Sequence, residues 1–176
     1  MDSSPMHLPI RDARADELDA IREVTLAAYA EYGAVMPEPV WLGYRRQLLA
    51  TLDSEGPAER IVAERNGVIV GSVLLFPPAT SAYGGAAARG DCPEVRLLAV
   101  VPAARGLGVG TALMNECARR ARAGGATVLG LHTTDIMQAA VRMYERIGYV
   151  RAPDLDFTPA KGFIVKGYRL DLLRRA

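Results

Sequence analysis

The sequence predicts a mixed α/β fold carried on a largely antiparallel sheet. Three observations point there. Strand-like and helix-like segments interleave in the order β-α-α-β-β-β-α-β-α-β-β, which is neither the strict alternation of a parallel sheet nor a run of helices. Asn66-Gly67, between two apolar runs, is the strongest short-range signal for a hairpin of adjacent antiparallel strands. At 176 residues, 50% hydrophobic and 23% charged, the chain has the make-up of one globular domain, taken as residues 1–176.

The elements follow in order. His7 to Arg11 reads as a short first strand. Asp16 is the expected cap of a helix in which Leu18, Ile21, Thr25 and Ala28 recur at helical spacing, with Gly33 as its end. Met36-Pro37-Glu38-Pro39 breaks the chain. Val40 to Leu52 is a second helix, with Trp41, Tyr44, Leu48 and Leu52 along one stripe. Arg60 to Arg65 and Val68 to Phe76 are the two hairpin strands. Pro77 to Pro93 is a long loop of small residues, of the kind that carries function or lacks order. Ala126 to Thr133 is an apolar strand. Thr134 or Asp135 caps a helix that Gly148 ends after Ile147. Tyr149 to Arg151 starts a strand, Asp154 to Gly162 is a polar loop, and Phe163 to Leu172 is the last strand.

The chain is organised around residues 94–125. An apolar strand, Glu94 to Val101, leads through Pro102 into Arg105-Gly106-Leu107-Gly108-Val109-Gly110, and then a helix runs to Arg122. The first N–H groups of a helix have no internal partner, and the helix dipole is positive there. Glycines at alternate positions let an anion approach that backbone closely. The expected ligand carries a phosphate or pyrophosphate. A P-loop is excluded, because Thr111-Ala112 stands where a Lys-Ser/Thr pair belongs. A dinucleotide fingerprint is excluded by G-x-G-x-G in place of G-x-G-x-x-G, and by the lack of an acidic residue about 20 positions on. A nucleotide-binding module remains the weaker alternative.

The remaining pattern, Arg105-x-x-Gly108-x-Gly110, resembles the acyl-CoA loop of the GNAT superfamily of N-acetyltransferases, whose signature is Arg/Gln-x-x-Gly-x-Gly/Ala. Ala140-Val141-Arg142-Met143-Tyr144-Glu145-Arg146-Ile147-Gly148-Tyr149 is similar to that family's A-x-x-x-Tyr-Glu-x-x-Gly-Phe/Tyr helix end. The resemblance covers about residues 60–150. It implies a central sheet with helices on both faces and a V-shaped strand split that holds acetyl-CoA. Main-chain groups of Leu98, Ala99 and Val100 would pair with pantetheine. Amides of Arg105, Gly106, Leu107, Gly108, Val109, Gly110 and Thr111 would hold the pyrophosphate, and an amide near Ala99 or Val100 would face the thioester oxygen.

Tyr144 matches the family's general acid, since a phenol can protonate a leaving thiolate. From helix periodicity alone it reads as a packing residue. Glu94 carries two readings, the base that deprotonates the amine or a solvated carboxylate at a strand mouth. His132 reads as a hydrogen-bonded core histidine rather than an acceptor-site residue. Asp91 and Glu38 are weaker carboxylate candidates. Met137 stands where the family commonly has an asparagine that touches the cofactor, with Gln138 beside it. Tyr29, Tyr32, Trp41, Tyr44 and Tyr83 lie in segments the family uses for the acceptor.

The implied activity is transfer of acetyl to a primary amine of a small molecule or peptide, with possible homodimer formation. A CoA-binding sensor without turnover is the alternative. A net charge of +1 gives no lean toward nucleic acid or an anionic membrane. Arg119-Arg120-Ala121-Arg122 sits late in a helix, where cations suit the dipole. Cys92 and Cys117 lack the spacing of a metal site or disulfide framework, so no metal is expected. Met1 to Arg14 has no apolar signal region, and no apolar run is long enough to span a bilayer, so the default expectation is cytoplasmic.

Overall fold

A computed structural model describes residues 8–78, 90–160 and 162–174. Among the described residues are eight strands and four α-helices. They are β1 (Ile10–Asp12), α1 (Leu18–Tyr29), α2 (Glu38–Asp53), β2 (Glu59–Arg65), β3 (Val68–Phe76), β4 (Glu94–Val100), α3 (Val109–Ala123), β5 (Val128–Thr133), α4 (Gln138–Ile147), β6 (Val150–Arg151), β7 (Phe157–Ala160) and β8 (Phe163–Asp171). The backbone forms two compact units. Of the described residues, the first comprises 8–54, 59–74 and 97–113, and the second 55–58, 75–78, 90–96, 114–160 and 162–174.

In the first unit the strand order is β1-β2-β3-β4. The β2–β3 turn has φ of 52° at Asn66 and 76° at Gly67, the two positive values that a type I′ turn needs. Ile61, Val62, Ala63, Val73 and Leu74 build the core with Ile21, Val24, Ala28, Leu48 and Leu52 of the two helices. Arg11 joins β1 to the segment before α1. Its guanidinium donates to Glu17 Oε1 at 2.8 Å and to Glu64 Oε2 at 2.7 Å. Glu17 is buried and also accepts the Arg14 amide at 2.7 Å, so hydrogen bonding from Arg11 brings its carboxyl down to about 2.

Asp16 is therefore not the cap of α1. It is exposed on a 3-10 turn, Ala15–Glu17, and Glu17 is the carboxylate that binds backbone there. Beyond Tyr29 the chain tightens into a second 3-10 turn, Ala30–Ala34, that contains Gly33. The first strand begins at Ile10, and His7 lies outside the described residues, as do Tyr83 and most of the Pro77–Pro93 loop.

In the second unit the order is β3-β4-β5-β8-β6, with β7 on β8. All these pairs whose register is fixed are antiparallel except β4 with β5. That parallel ladder holds only Glu94↔Gly130 and Val95↔Leu131. β5 continues to Thr133 on β8. The sequence reads Asp154 to Gly162 as a polar loop, but Phe157–Ala160 is a strand, with Thr158 and Pro159 exposed. As an edge strand on β8 it tolerates the missing donor. Neither Thr134 nor Asp135 caps α4, which starts at Gln138 after Met137. Asp135 instead binds Lys166 Nζ at 2.6 Å. Gly148 ends the helix at φ 108°, giving its N–H to the Tyr144 and Glu145 carbonyls.

Candidate functional site

The glycine loop of the first unit follows a 3-10 turn at Pro102–Ala104. Gly106 and Gly108 take φ of 74° and 80°, conformations that side chains resist, and a Cβ on either would meet open space. Arg105, Gly106, Leu107 and Gly108 are exposed, Leu107 by 40%. Among the described residues, no main-chain carbonyl takes the amides of Gly106 through Thr111. The next amide, Ala112, closes the first helical bond to Gly108 at 2.9 Å. The loop therefore presents a run of unpaired donors at the positive end of a long helix.

Gly71 of β3 lets that helix start where it does. A Cβ there would lie 2.9 Å from Val109 Cγ1, 3.1 Å from the Ala99 oxygen and 3.1 Å from Leu113 Cδ1. Nothing in the sequence marks Gly71 apart from a glycine inside a strand, a sign of close backbone approach.

Arg105 departs from its expected place. Its amide closes the preceding turn on the Pro102 oxygen at 3.2 Å, so the open donors begin at Gly106. Its guanidinium reaches away, to the Ala28 oxygen at 2.8 Å, to Glu31 Oε2 at 3.0 Å and, by Nε, to the Val100 oxygen at 3.4 Å.

Leu98, Ala99 and Val100 form the end of β4. Ala99 is buried. The Leu98 oxygen accepts the Tyr29 hydroxyl at 3.2 Å, so one of the main-chain groups assigned to pantetheine already has a partner from α1. Sequence reading missed Leu97. It has φ 51°, an unfavourable value for a leucine, and it breaks the inside–outside alternation of β4. An apolar Leu-Leu pair carries no signal of such a kink. Aromatic residues of α1, α2 and the 3-10 turn between them cluster: Tyr29 lies 5.7 Å from Tyr32 and 6.1 Å from Tyr44, and Trp41 lies 6.3 Å from Tyr44.

The second unit holds the proposed proton-transfer groups. Tyr144 sits in the last turn of α4 with 8% of its surface exposed, its ring 5.9 Å from that of Tyr149. Tyr149 is still more buried, and its hydroxyl finds no partner among the described residues. Burial pushes that phenol well above its ordinary value. Met137 precedes α4 and is half-buried. The Gln138 amide donates to the Asp135 oxygen at 2.7 Å and is engaged locally.

Glu94 and His132 come together across β4 and β5. Glu94 Oε1 lies 2.7 Å from His132 Nδ1, Glu94 Oε2 accepts Arg96 Nη2 at 2.9 Å, and His132 Nε2 lies 3.0 Å from the Leu155 oxygen. Burial raises the Glu94 carboxyl, but the bonds from His132 and Arg96 outweigh it, and the group lies below the ordinary carboxylate range. Asp91 and Glu38 are exposed. Among the described residues, no group of His, Cys, Asp and Glu is placed to hold a metal, and no helix is long and apolar enough to cross a membrane.

A glycine-rich open helix start is suited to a bound anion. The chain matches the Acetyltransferase (GNAT) family over residues 18–149 and belongs to that family. It is 37% identical over 98 residues to a mycothiol acetyltransferase of Nocardia farcinica, covering 56% of this chain and 27% of that protein. It is 34% identical over 170 residues to a mycothiol acetyltransferase of a Parafrankia species, covering 85% and 50%. The chain thus spans from a quarter to a half of the length of these relatives. The fold is shared with a GNAT-family acetyltransferase of Staphylococcus aureus, at TM-score 0.69, 15% identity and coverage of 94% and 99%. It is shared too with a Salmonella typhimurium protein solved with its cofactor acetyl-CoA, at TM-score 0.61, 20% identity and coverage of 97% and 96%.

Proposed function

We propose that residues 1–176 act as one N-acetyltransferase domain that moves acetyl from acetyl-CoA to a primary amine by direct attack. The observation that carries this reading is the open run of amides from Gly106 to Thr111 at the start of α3. Those donors suit a diphosphate, and the family membership supports acyl-CoA as its carrier.

In the proposed reaction the amine nitrogen bonds to the thioester carbonyl carbon, and the C–S bond breaks. An amide at Ala99 or Val100 faces the oxygen that becomes negative. The Tyr144 hydroxyl gives its proton to the departing thiolate, and the proton released by the attacking nitrogen as it becomes the amide returns to Tyr144 through solvent. Leu98, Ala99 and Val100 line the pantetheine arm, with Met137 contributing an apolar contact in place of an amide. A neutral amine must attack, so the acceptor sheds its ammonium proton first. Glu94 has both carboxylate oxygens hydrogen-bonded and little exposure, which supports neither the solvated carboxylate nor a free base but a carboxylate held in place. Acceptors related to mycothiol belong in the substrate panel, because the curated relatives carry that name.

The test is calorimetry of CoA against the protein, followed by thiol release from acetyl-CoA across an amine panel. Binding that is lost in Gly108→Glu, together with amine-dependent thiol release, is the expected result. No CoA binding at millimolar concentration would end the reading. Binding without thiol release would leave a CoA-responsive protein with no turnover.

A further inference from the structure

After Leu97 the main chain of β4 presents its groups to two sides. The Val101 amide donates to the Val70 oxygen at 3.0 Å, and the Ala99 oxygen lies over Gly71, 3.1 Å from where a Cβ would stand. Main-chain groups alternate along a strand, so those of Leu98 and Val100 face away from β3. On that side the protein supplies partners of its own. The Tyr29 hydroxyl donates to the Leu98 oxygen at 3.2 Å, and Arg105 Nε donates to the Val100 oxygen at 3.4 Å. Arg105 Nη2 also holds the Ala28 oxygen at 2.8 Å, one residue from Tyr29, so both contacts are tied to the last turn of α1.

The Tyr29 bond is one that a better donor can displace. An O–H···O bond ordinarily closes to about 2.7–2.8 Å, and this one is longer. Leu97, at φ 51°, turns the chain immediately before the accepting carbonyl, a conformation that a leucine keeps only where its surroundings hold it. The Tyr29 ring is buried and packs at 68° to Tyr32 and at 54° to Tyr44, and Tyr44 in turn meets Trp41 at 53°. Closely packed rings do not shift independently, so a displacement of Tyr29 is felt at Tyr44 and Trp41.

We propose that Tyr29 is a positioning residue that holds the Leu98 carbonyl until an amide of the pantetheine arm takes its place, and that this exchange is passed through the aromatic cluster to Trp41. One hydrogen bond replaces another: the phenol O–H leaves the carbonyl, and an N–H of the arm donates to it. Tyr29 thereby responds to the arm of the cosubstrate and not to its diphosphate. A ligand with no amide to offer leaves the Tyr29 bond in place. The proposal rests on the acetyltransferase reading, through the assignment of Leu98 to pantetheine.

Trp41 is the single tryptophan of the chain, so its fluorescence reads the cluster directly. In the wild-type protein CoA should change that emission, whereas 3′-phospho-ADP, which is CoA without the arm, should bind by calorimetry and leave the emission unchanged. An equal response to both ligands overturns the proposal and needs no variant. Tyr29→Phe keeps the ring and removes the O–H. It should bind CoA about three- to tenfold more tightly, the effect of one net hydrogen bond no longer to be displaced, and lose most of the fluorescence response. Its affinity for 3′-phospho-ADP should stay within about twofold of wild type, which also shows that the variant is folded. Weaker CoA binding would mean that the phenol supports the bound arm, and equal CoA binding that its bond carries no weight. Either result overturns the proposal and leaves the acetyltransferase reading standing. If neither ligand binds the wild-type protein, that reading falls and the proposal falls with it.

Discussion

Gly167 of β8 and Leu155 approach so closely that a Cβ added to the glycine would lie 2.3 Å from Leu155 Cβ. The Ala152 oxygen would be 2.9 Å away, and the Ala152 amide donates to the Gly167 oxygen at 2.9 Å. The bare strand position thus lets the Pro153–Leu155 turn lie against β8 and brings the Leu155 carbonyl to His132. Gly167→Ala is expected to destabilise the protein by about 1–3 kcal/mol through overpacking. It should also shift the His132 Nε2 resonance as that hydrogen bond lengthens. Urea denaturation and histidine NMR measure the two effects.

Gly71→Val should act on the other unit. Its side chain would press on Val109, Leu113 and the Ala99 carbonyl, so the start of α3 would have to shift. The expected outcome is a lower urea midpoint, a loss of about 1–3 kcal/mol, and CoA affinity at least about tenfold weaker. Unchanged affinity in a folded variant would disconnect the packing of α3 from the phosphate cradle.

Gly108→Ala asks for less. Space is open around the Cβ, but φ of 80° is strained for alanine, at a cost of about 1–2 kcal/mol. CoA titration should show weaker binding, by about tenfold if the strain is relieved by turning the loop amides aside.

Tyr144→Phe should lower kcat by about 10²–10⁴ while CoA affinity stays within about twofold, because the phenol would act only on the leaving thiolate. Single-turnover thiol release and CoA calorimetry separate the two quantities. Unchanged kcat would remove Tyr144 from the mechanism and leave it as a packing residue against Tyr149.

Glu17 sets an acid-stability prediction. Its carboxyl lies at about 2 in the folded protein, against an ordinary value of 4.5, with the Arg11 hydrogen bond as the main cause. A lowered folded value means that its stabilisation is complete above about pH 4.5 and is lost as pH falls toward about 2. Glu17→Gln should therefore cost about 1–3 kcal/mol at neutral pH, the worth of hydrogen bonds to a charged group, and the gap to wild type should close between those two pH values. Urea midpoints measured across that range give the answer.

The periodic and glycine-marked parts of the fold were legible in the sequence. Asn66-Gly67 gave the hairpin, Gly148 the end of α4, and the loop glycines the open helix start, because each of those turns demands a specific residue type. Errors came where tertiary partners decide. Asp16 looked like a cap, yet Glu17 took the backbone bond because Arg11 and Arg14 hold it there. β7 looked like loop because only pairing with β8 makes Phe157–Ala160 a strand. The positive φ of Leu97 had no signal at all, since nothing in Leu97-Leu98 departs from an ordinary strand. Glu94 and His132 were both noticed, but as separate candidates. Their union depends on Glu94 pairing with Gly130, two residues before His132, which is a matter of register between distant strands.

The position of Arg105 changes what its place in the loop pattern means. Its guanidinium braces the carbonyls of Ala28 and Val100 and reaches Glu31, all on the protein itself. The pattern admits glutamine at this position, and a neutral carboxamide can donate to carbonyls as well. In this chain the side chain there is a strut rather than an electrostatic lure. A chain with glutamine in this place would lose one cation and keep donors for those carbonyls.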